Sequence, residues 1–422
     1  MVYQRRVVDD ELDELFGDLP AIALEGPKAV GKTATARERA RTVFELDQPR
    51  QQVLLDSDPR RLDQAPGPIL LDEWQKFPTS WDLVRRSVDA DSRGGRFLLA
   101  GSASPKISPA HSGAGRIVSL RMRPLSIFER NICAPTVKLS DLLSGEKPSI
   151  SGESQIGLAE YVEEIVSSGF PGIRTLAVRA RTMQLDSYLE RLATVEFVEQ
   201  GAAVRRPASL RSWMAAYAAA TATTASYNSI LDAATPGDSD KPSRSTTEVY
   251  RNTLSSLFLL DPVPGWIPLN IPLARLAQAP KHHLADPALA CRLLGVTAAS
   301  LLSGDQPEIS APSEFLLGNL FESLVALCLR VYAQPSMARV SHLRTKNGDH
   351  EVDFIIEAPD HRVVAIEVKL SPDVNDSAVK HLHWLNTHLG TRLADMVVVT
   401  TGKHAYRRKD GIAVVPLALL GI

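Results

Sequence analysis

Residues 26–33 read Gly26-Pro27-Lys28-Ala29-Val30-Gly31-Lys32-Thr33, the pattern G-x-x-x-x-G-K-T with nothing missing. The apolar run Ala21-Ile22-Ala23-Leu24 precedes it, and the helix-prone run Ala34-Thr35-Ala36-Arg37-Glu38-Arg39-Ala40 follows. Strand, glycine-bearing turn and helix, in that order, form the setting in which this pattern cradles phosphates. Gly26 and Gly31 let the backbone curl so that its N–H groups face a phosphate chain. The helix opening near Gly31 adds its positive end at the same spot. Lys32 then reaches the outer phosphates, and the Thr33 hydroxyl can ligate Mg²⁺. The competing reading, a surface turn with Lys32 in water, leaves the flanking elements unexplained. Residues 26–33 are the expected cradle, with ATP and Mg²⁺ as the expected ligands.

Outward from the loop, Ile69-Leu70-Leu71-Asp72-Glu73 is an apolar strand ending in two carboxylates. Open α/β sheets bind ligands at the carboxyl ends of their strands. Asp72 is expected to hold Mg²⁺ through a water, and Glu73 to polarise the water that attacks the γ-phosphate. Phe97-Leu98-Leu99-Ala100-Gly101-Ser102 is a further strand with a small polar end. Ser102 either senses the γ-phosphate or orients the water, or merely caps the strand. Arg116 ends the loop His111-Ser112-Gly113-Ala114-Gly115. It is a candidate positive charge for the transferring phosphoryl group, in cis or toward a neighbouring subunit; the alternative is a surface arginine.

These stretches together resemble the prokaryotic AAA+ ATPases that carry an AAA-type domain followed by the domain of unknown function DUF4143. The similarity runs on through Arg123-Pro124-Leu125-Ser126, Gly169-Phe170-Pro171, Gly318-Asn319-Leu320-Phe321-Glu322, Glu351-Val352-Asp353-Phe354 and Glu367-Val368-Lys369. The resemblance implies an AAA+ fold, ATP with Mg²⁺, and a winged-helix-like middle region. It implies no particular cellular role. The chain departs from the pattern at Ser168-Gly169, where two glycines are usual, and this puts the geometry of that turn in question.

At 422 residues the chain is long enough for about three domains. A formal net charge of −2 argues against polyanion binding along its whole length. Cys133, Cys291 and Cys328 fit neither a metal site nor a disulfide framework, so a reducing cytoplasm is expected. The N-terminus lacks a signal-like apolar core, and no apolar stretch suits a membrane span. Segments 134–155 and 303–313, rich in Pro, Gly and Ser, read as linkers or long loops. They divide the chain into an AAA+ region (1–135), a helical region (155–302) that the resemblance makes winged-helix-like, and a DUF4143-like region (313–422).

The expected fold class is multidomain α/β. Short apolar strands at 22–24, 53–55, 69–71, 97–99 and 117–120 suit a parallel sheet covered on both faces. Helical patterns fill 158–167, 180–199, 210–221 and 247–260. The third region opens with a helix at 315–332. Strands follow at 340–345, 352–356, 363–370, 396–400 and 412–417, with a helix at 378–389.

Glu351 and Asp353 fall on one face of their strand, with Val352, Phe354 and Ile356 on the other. Glu367 and Lys369 share a face of the next strand. Adjacent strands lie ~4.8 Å apart, so Asp353, Glu367 and Lys369 can converge, with Glu322 completing the group. The set resembles the PD-(D/E)XK nuclease-like core. There, carboxylates hold Mg²⁺ and the lysine stabilises charge or the attacking water. Glu322, Asp353 and Glu367 are the expected metal ligands, and Lys369 the expected catalytic lysine. The bland alternative is a solvated polar sheet face. Arg407-Arg408-Lys409, Arg344 and Lys346 are candidate phosphate contacts. Lys281-His282-His283 lacks further ligands at metal spacing and reads as a surface turn. It precedes a helix capped by Asp286 with Pro287 first.

Two functions follow. One is an Mg-ATP-driven switch whose C-terminal core contacts DNA or RNA. The other is an ATP-gated regulatory protein whose nuclease-like domain is inactive and docks a protein partner. Neither calls for a membrane, and the oligomeric state is not legible.

Overall fold

In the computed structural model, the described residues are 3–101, 113–202, 206–235, 242–268, 279–303 and 313–422. The chain is mixed α/β. Its N-terminal sheet has strands β1 (Ala21–Glu25), β2 (Thr42–Glu45), β3 (Ile69–Asp72), β4 (Phe97–Gly101) and β5 (Val118–Arg121), in the order β2-β3-β4-β1-β5. Every pairing is parallel. Alternate residues face two cores. Ala21, Ala23, Ile69, Leu71, Phe97 and Leu99 pack with Trp81, Val84 and Val88 of the helix Thr79–Ala90. Ile22, Leu24, Leu70 and Leu98 pack on the opposite side, in the cluster that holds Val7, Val8 and Leu12 of the first helix. Burial on both faces explains the unbroken apolar runs. The expected strand at 53–55 is instead part of the helix Pro49–Ser57, opened by its proline; β2 takes its place in the sheet.

The middle region is helical. The helix Val178–Arg191 passes into a π-helical turn, Leu192–Glu196, and ends at Phe197–Glu199. The helices Leu158–Ser167, Pro207–Ala219, Arg244–Ser256 and Pro287–Leu294 accompany it.

The expected linker at 134–155 is structured. It supplies β6 (Val137–Lys138), the helix Leu139–Leu143 and β7 (Gly152–Glu153). The remaining strands are β8 (Arg339–Arg344), β9 (Glu351–Glu357), β10 (Val363–Lys369), β11 (Leu393–Thr400), β12 (His404–Arg407), β13 (Ala413–Pro416) and β14 (Leu420–Gly421). They form a seven-stranded sheet, β7-β12-β13-β11-β10-β9-β8, and a pair β14-β6. The composition of 134–155 hid β6 and β7, which are two-residue strands at sheet edges, where solvent takes half of the backbone bonds. The second expected linker lies mostly outside the described residues.

The helix Asp376–Leu389 covers one face of this sheet with Val379, Leu382 and Leu385. The helix Ser313–Ala333 covers the other. Its stretch 316–333 is apolar and long enough to cross a membrane, but 78% of it is buried inside the protein. It is the central core helix. Backbone N–H groups of Ile127 and Phe128 donate to Cys328 Sγ (3.3 Å) and Tyr332 Oη (3.0 Å) on it. One continuous apolar cluster thus joins all three regions.

The turn at Ser168 clarifies the departure from two glycines. Ser168 has φ +70°, where glycine is favoured. Its hydroxyl donates to Asp286 Oδ2 (2.7 Å), and the same oxygen accepts from Gly169 N (2.7 Å). Asp286 also caps the helix Pro287–Leu294 through Ala288 N at 2.9 Å. One buried carboxylate therefore holds the turn and the helix start together.

Candidate functional site

The loop after β1 is held from two sides. A Cβ at Gly26 would lie 2.1 Å from the Met122 carbonyl oxygen, so only glycine fits there. Arg6 is buried, donates to the Val30 carbonyl (2.9 Å), and pairs with Glu129 (2.9 Å). Gly31, at φ +104°, starts the helix Lys32–Arg37. Lys32 is 7% exposed, and its ammonium donates back to the carbonyls of Gly26 and Pro27, both at 2.8 Å. Thr33 Oγ1 donates to Asp72 Oδ1 at 2.7 Å, joining the loop to the end of β3. A hydroxyl and a carboxylate so placed are hard oxygen donors of the kind Mg²⁺ takes.

Glu73 follows β3 with φ +51°, a left-handed conformation uncommon for a non-glycine residue. Gln75 Nε2 donates to it at 2.5 Å. Burial raises the Glu73 carboxyl above its ordinary range, with Gln75 and Lys32 opposing, and so makes it a stronger base. Burial raises Asp72 likewise, against the Thr33 hydrogen bond. Burial pushes Lys32 down to about 8, with Glu73 partly opposing.

This last shift has a measurable consequence. Phosphate selects the ammonium form, so nucleotide affinity should hold near neutrality and fall above the Lys32 value of about 8. The expected slope is about tenfold per pH unit, whereas an ordinary lysine would keep its charge to about pH 10. Titrations of a fluorescent ATP analogue across that range check it; a flat profile would mean that Lys32 keeps the ordinary lysine value or stands away from the phosphates.

Ser102 lies outside the described residues. Arg116 is half exposed and paired with Asp89 on the helix Thr79–Ala90 at 2.8 Å. Lys28 meets the middle region. Its ammonium is 2.5 Å from Glu196 and 3.9 Å from Glu199, and Lys76 is 2.8 Å from Glu199. Glu196 closes the π-helical turn, and such turns gather at functional sites. Arg121, at the end of β5, stacks on Phe258 and faces Asp261. Neither Glu196 nor Asp261 was singled out by motif, because each acquires its partner only through packing between regions.

In the C-terminal region the register slips between Ser341 and Leu343, opposite Ile355 and Val352, which marks a bulge in β9. Val352 consequently packs with Ile355 in one core, while Phe354 and Ile356 lie in the other; the expected sharing of one face by 352, 354 and 356 does not hold. The slip sits beside Asp353. Asp353 Oδ2 accepts from Val368 N of β10 at 2.9 Å, where the β9–β10 ladder has ended. Glu367 stands against Asp353, and Lys369 is 3.3 Å from Glu367. Glu322 projects from the core helix toward the same place.

The centre of this group is a lysine. Lys281 is 2% exposed, and its ammonium lies 2.9 Å from Glu322, 3.0 Å from Glu351 and 2.9 Å from Asp353. Burial would lower its pKa, but Asp353, Glu322 and Glu351 hold it well above the ordinary value. Burial and the Asp353 charge push Glu322 up to about 8, against the pull of Lys281. Burial and Asp353 together raise Glu367 well above the carboxylate range. Among the described residues no three His, Cys, Asp or Glu side chains are arranged to hold a metal ion. Of the carboxylates expected to bind Mg²⁺, Glu322 and Asp353 meet around the Lys281 ammonium, and Glu367 stands against Asp353 and Lys369.

Lys281, His282 and His283 are therefore no surface turn; all three are buried. The backbone of Lys281 exchanges two 2.9 Å hydrogen bonds with Val263, and His282 Nε2 lies 2.7 Å from the Ala225 carbonyl. Three of the five candidate phosphate contacts are engaged internally. Arg407 pairs with Asp395 (2.9 Å), Arg408 with Asp376 (2.6 Å) and Asp410 (3.1 Å), and Arg344 donates to Thr224 Oγ1 (2.6 Å).

Comparison with known proteins gives three adjoining matches. An AAA domain model matches residues 18–131, a domain of unknown function, DUF8612, matches 158–300, and the domain of unknown function DUF4143 matches 317–420. Two curated relatives are similar over 426 aligned residues at 24% identity: the uncharacterized proteins Rv2008c of Mycobacterium tuberculosis and Mb2031c of Mycobacterium bovis. The alignments cover 99% of this chain and 84% of each relative.

Proposed function

We propose that this chain, an AAA domain followed by a helical middle region and a C-terminal DUF4143 domain, binds and hydrolyses Mg-ATP as a switch. The observation that carries the reading is the meeting of Lys32, Thr33, Asp72 and Glu73 at the carboxyl ends of β1 and β3. In this reading the loop 26–33 and Lys32 hold the phosphates, Thr33 and Asp72 hold Mg²⁺, and Glu73 accepts a proton from the attacking water. The metal neutralises charge on the phosphate oxygens when bound. Ser102 remains a candidate for positioning that water. Arg116 would have to leave Asp89 to reach a phosphoryl group.

The switch reading draws on the Lys28–Glu196 contact. A phosphate chain in the loop brings negative charge beside Glu196 and competes with it for Lys28. Nucleotide then favours whichever arrangement of the middle region relieves that competition. Lys32→Ala tests the binding half. Loss of a charge-assisted phosphate contact costs about 1.5–3 kcal/mol, an affinity loss of roughly 10- to 150-fold. Titration of a fluorescent ATP analogue against both proteins measures it, and equal affinities would sink the assignment.

For the C-terminal domain, a PD-(D/E)XK-like core that contacts or cuts DNA or RNA competes with an inactive core that docks a protein partner. The internal pairing of Arg344, Arg407 and Arg408, and the ammonium among the carboxylates, favour the second. Incubation with DNA and RNA in Mg²⁺ or Mn²⁺ separates them. Cleavage that disappears in Asp353→Asn would establish the first. The middle region, read as winged-helix-like by resemblance, would carry the nucleotide signal between the two ends.

A further inference from the structure

We infer that Lys281 is the resident cation of the DUF4143 carboxylate cluster, and that this seat accepts a divalent metal ion only once the ammonium is removed. The inference concerns a site separate from the nucleotide loop, and ATP turnover does not enter its test.

Three observations converge. The ammonium has carboxylate oxygens on three sides, at 2.9, 2.9 and 3.0 Å, from Glu322, Asp353 and Glu351. These are hydrogen-bonding distances that fill the three donors of a lysine. Its stem is fixed by sequence-distant backbone: Lys281 is bridged to Val263, and the neighbouring Pro264 carbonyl accepts from His342 N of β8 at 2.9 Å. The lysine therefore arrives with the middle region and is not a mobile surface side chain that happened to fall in. Finally, Glu367 is 4% exposed, stands against Asp353, and has an oxygen, Oε1, with no hydrogen-bond partner. A buried carboxylate oxygen without a donor marks unused coordination capacity beside Asp353.

The charges explain why one cation excludes the other. Glu322, Glu351, Asp353 and Glu367 face Lys281 and Lys369, and Arg344 lies 3.8 Å from Glu351. A divalent ion added beside Lys281 would put two cations within bonding distance of the same oxygens. Removing the ammonium instead leaves Glu322, Glu351 and Asp353 around an empty centre, with Glu367 beside Asp353, a set of hard oxygen donors suited to Mg²⁺ or Mn²⁺.

The test is equilibrium binding of Mn²⁺, followed by the electron paramagnetic resonance of the free ion, to the full nucleotide-free chain. Any ion held near the phosphate loop is common to all variants and cancels. The parent and Asp353→Asn should bind the same number of equivalents. Lys281→Met, which keeps the stem and removes the charge, should bind one more, and Lys281→Met/Asp353→Asn should lose it again. An extra equivalent already present in the parent and removed by Asp353→Asn would overturn the inference. So would a folded Lys281→Met that gains none. A second measurement needs no variant: brief acylation of the native protein, read by mass spectrometry, should leave Lys281 unmodified while exposed lysines react. Acylation of Lys281 at their rate would show that the ammonium does not occupy the seat.

Discussion

Glu73→Gln should bind ATP as the parent does and hydrolyse it about 10²- to 10⁴-fold more slowly, the usual contribution of a positioned base. The substitution keeps the size and planarity of the side chain, so the Gln75 contact can be remade with the amide oxygen as acceptor. What it removes is the proton acceptor whose basicity burial raises. Asp72→Asn differs in kind, because Asp72 accepts from the Thr33 hydroxyl and stands where Mg²⁺ would be held; it should weaken binding as well as turnover. The measurement is phosphate release under saturating ATP alongside an independent binding titration. Unchanged turnover in Glu73→Gln would reduce Glu73 to a buried acid of the strand end.

Asp261→Asn should cost about 3–5 kcal/mol of stability, the scale for leaving buried charge without its partner. Asp261 meets Arg123 at 2.8 Å and Arg121 at 4.0 Å, and it pairs closely with Arg330 of the core helix. Burial alone would push its carboxyl up; Arg123, Arg330 and Arg121 overcome this and hold it well below the usual range. A depressed carboxylate contributes stability above its unfolded pKa of about 3.9, and that contribution drains away as pH falls below it. The gap between parent and variant should be full at neutral pH and shrink in acid. Urea unfolding at about pH 7 and about pH 3 measures both numbers. A neutral-pH gap within ~0.5 kcal/mol, the scale of an ordinary surface change, would mean the three arginines find other partners.

The N-terminal half of the site was legible because its information is local. Gly26, Gly31, Lys32 and Thr33 lie within one turn of backbone, and an apolar strand ending in Asp72-Glu73 signals where its carboxyl end must be. Parallel β1, β3 and β4 followed from unbroken apolar runs. The run at 53–55 misled, because a short apolar stretch has no period of its own and the proline at 49 starts a helix there. β6 and β7 were hidden in a stretch of turn-forming residues, since two-residue edge strands need no apolar pattern.

Sequence by itself determined the glycine-bearing turn at 26–33, the strand that ends in Asp72, the capped helix at Asp286 and the E-x-K strand at 367–369. In each case one short segment contains both the residue and the reason for its position. Tertiary structure alone decided which cation sits among the C-terminal carboxylates. Lys281 is 72 residues from Asp353 and 41 from Glu322, and its neighbour His282 meets the Ala225 carbonyl instead. It also decided that Lys28 meets Glu196 and that Asp261 gathers three arginines. A side chain's charge is written in its name, but the charge it neutralises depends on which distant backbone carries it there, and that is settled only when the core closes.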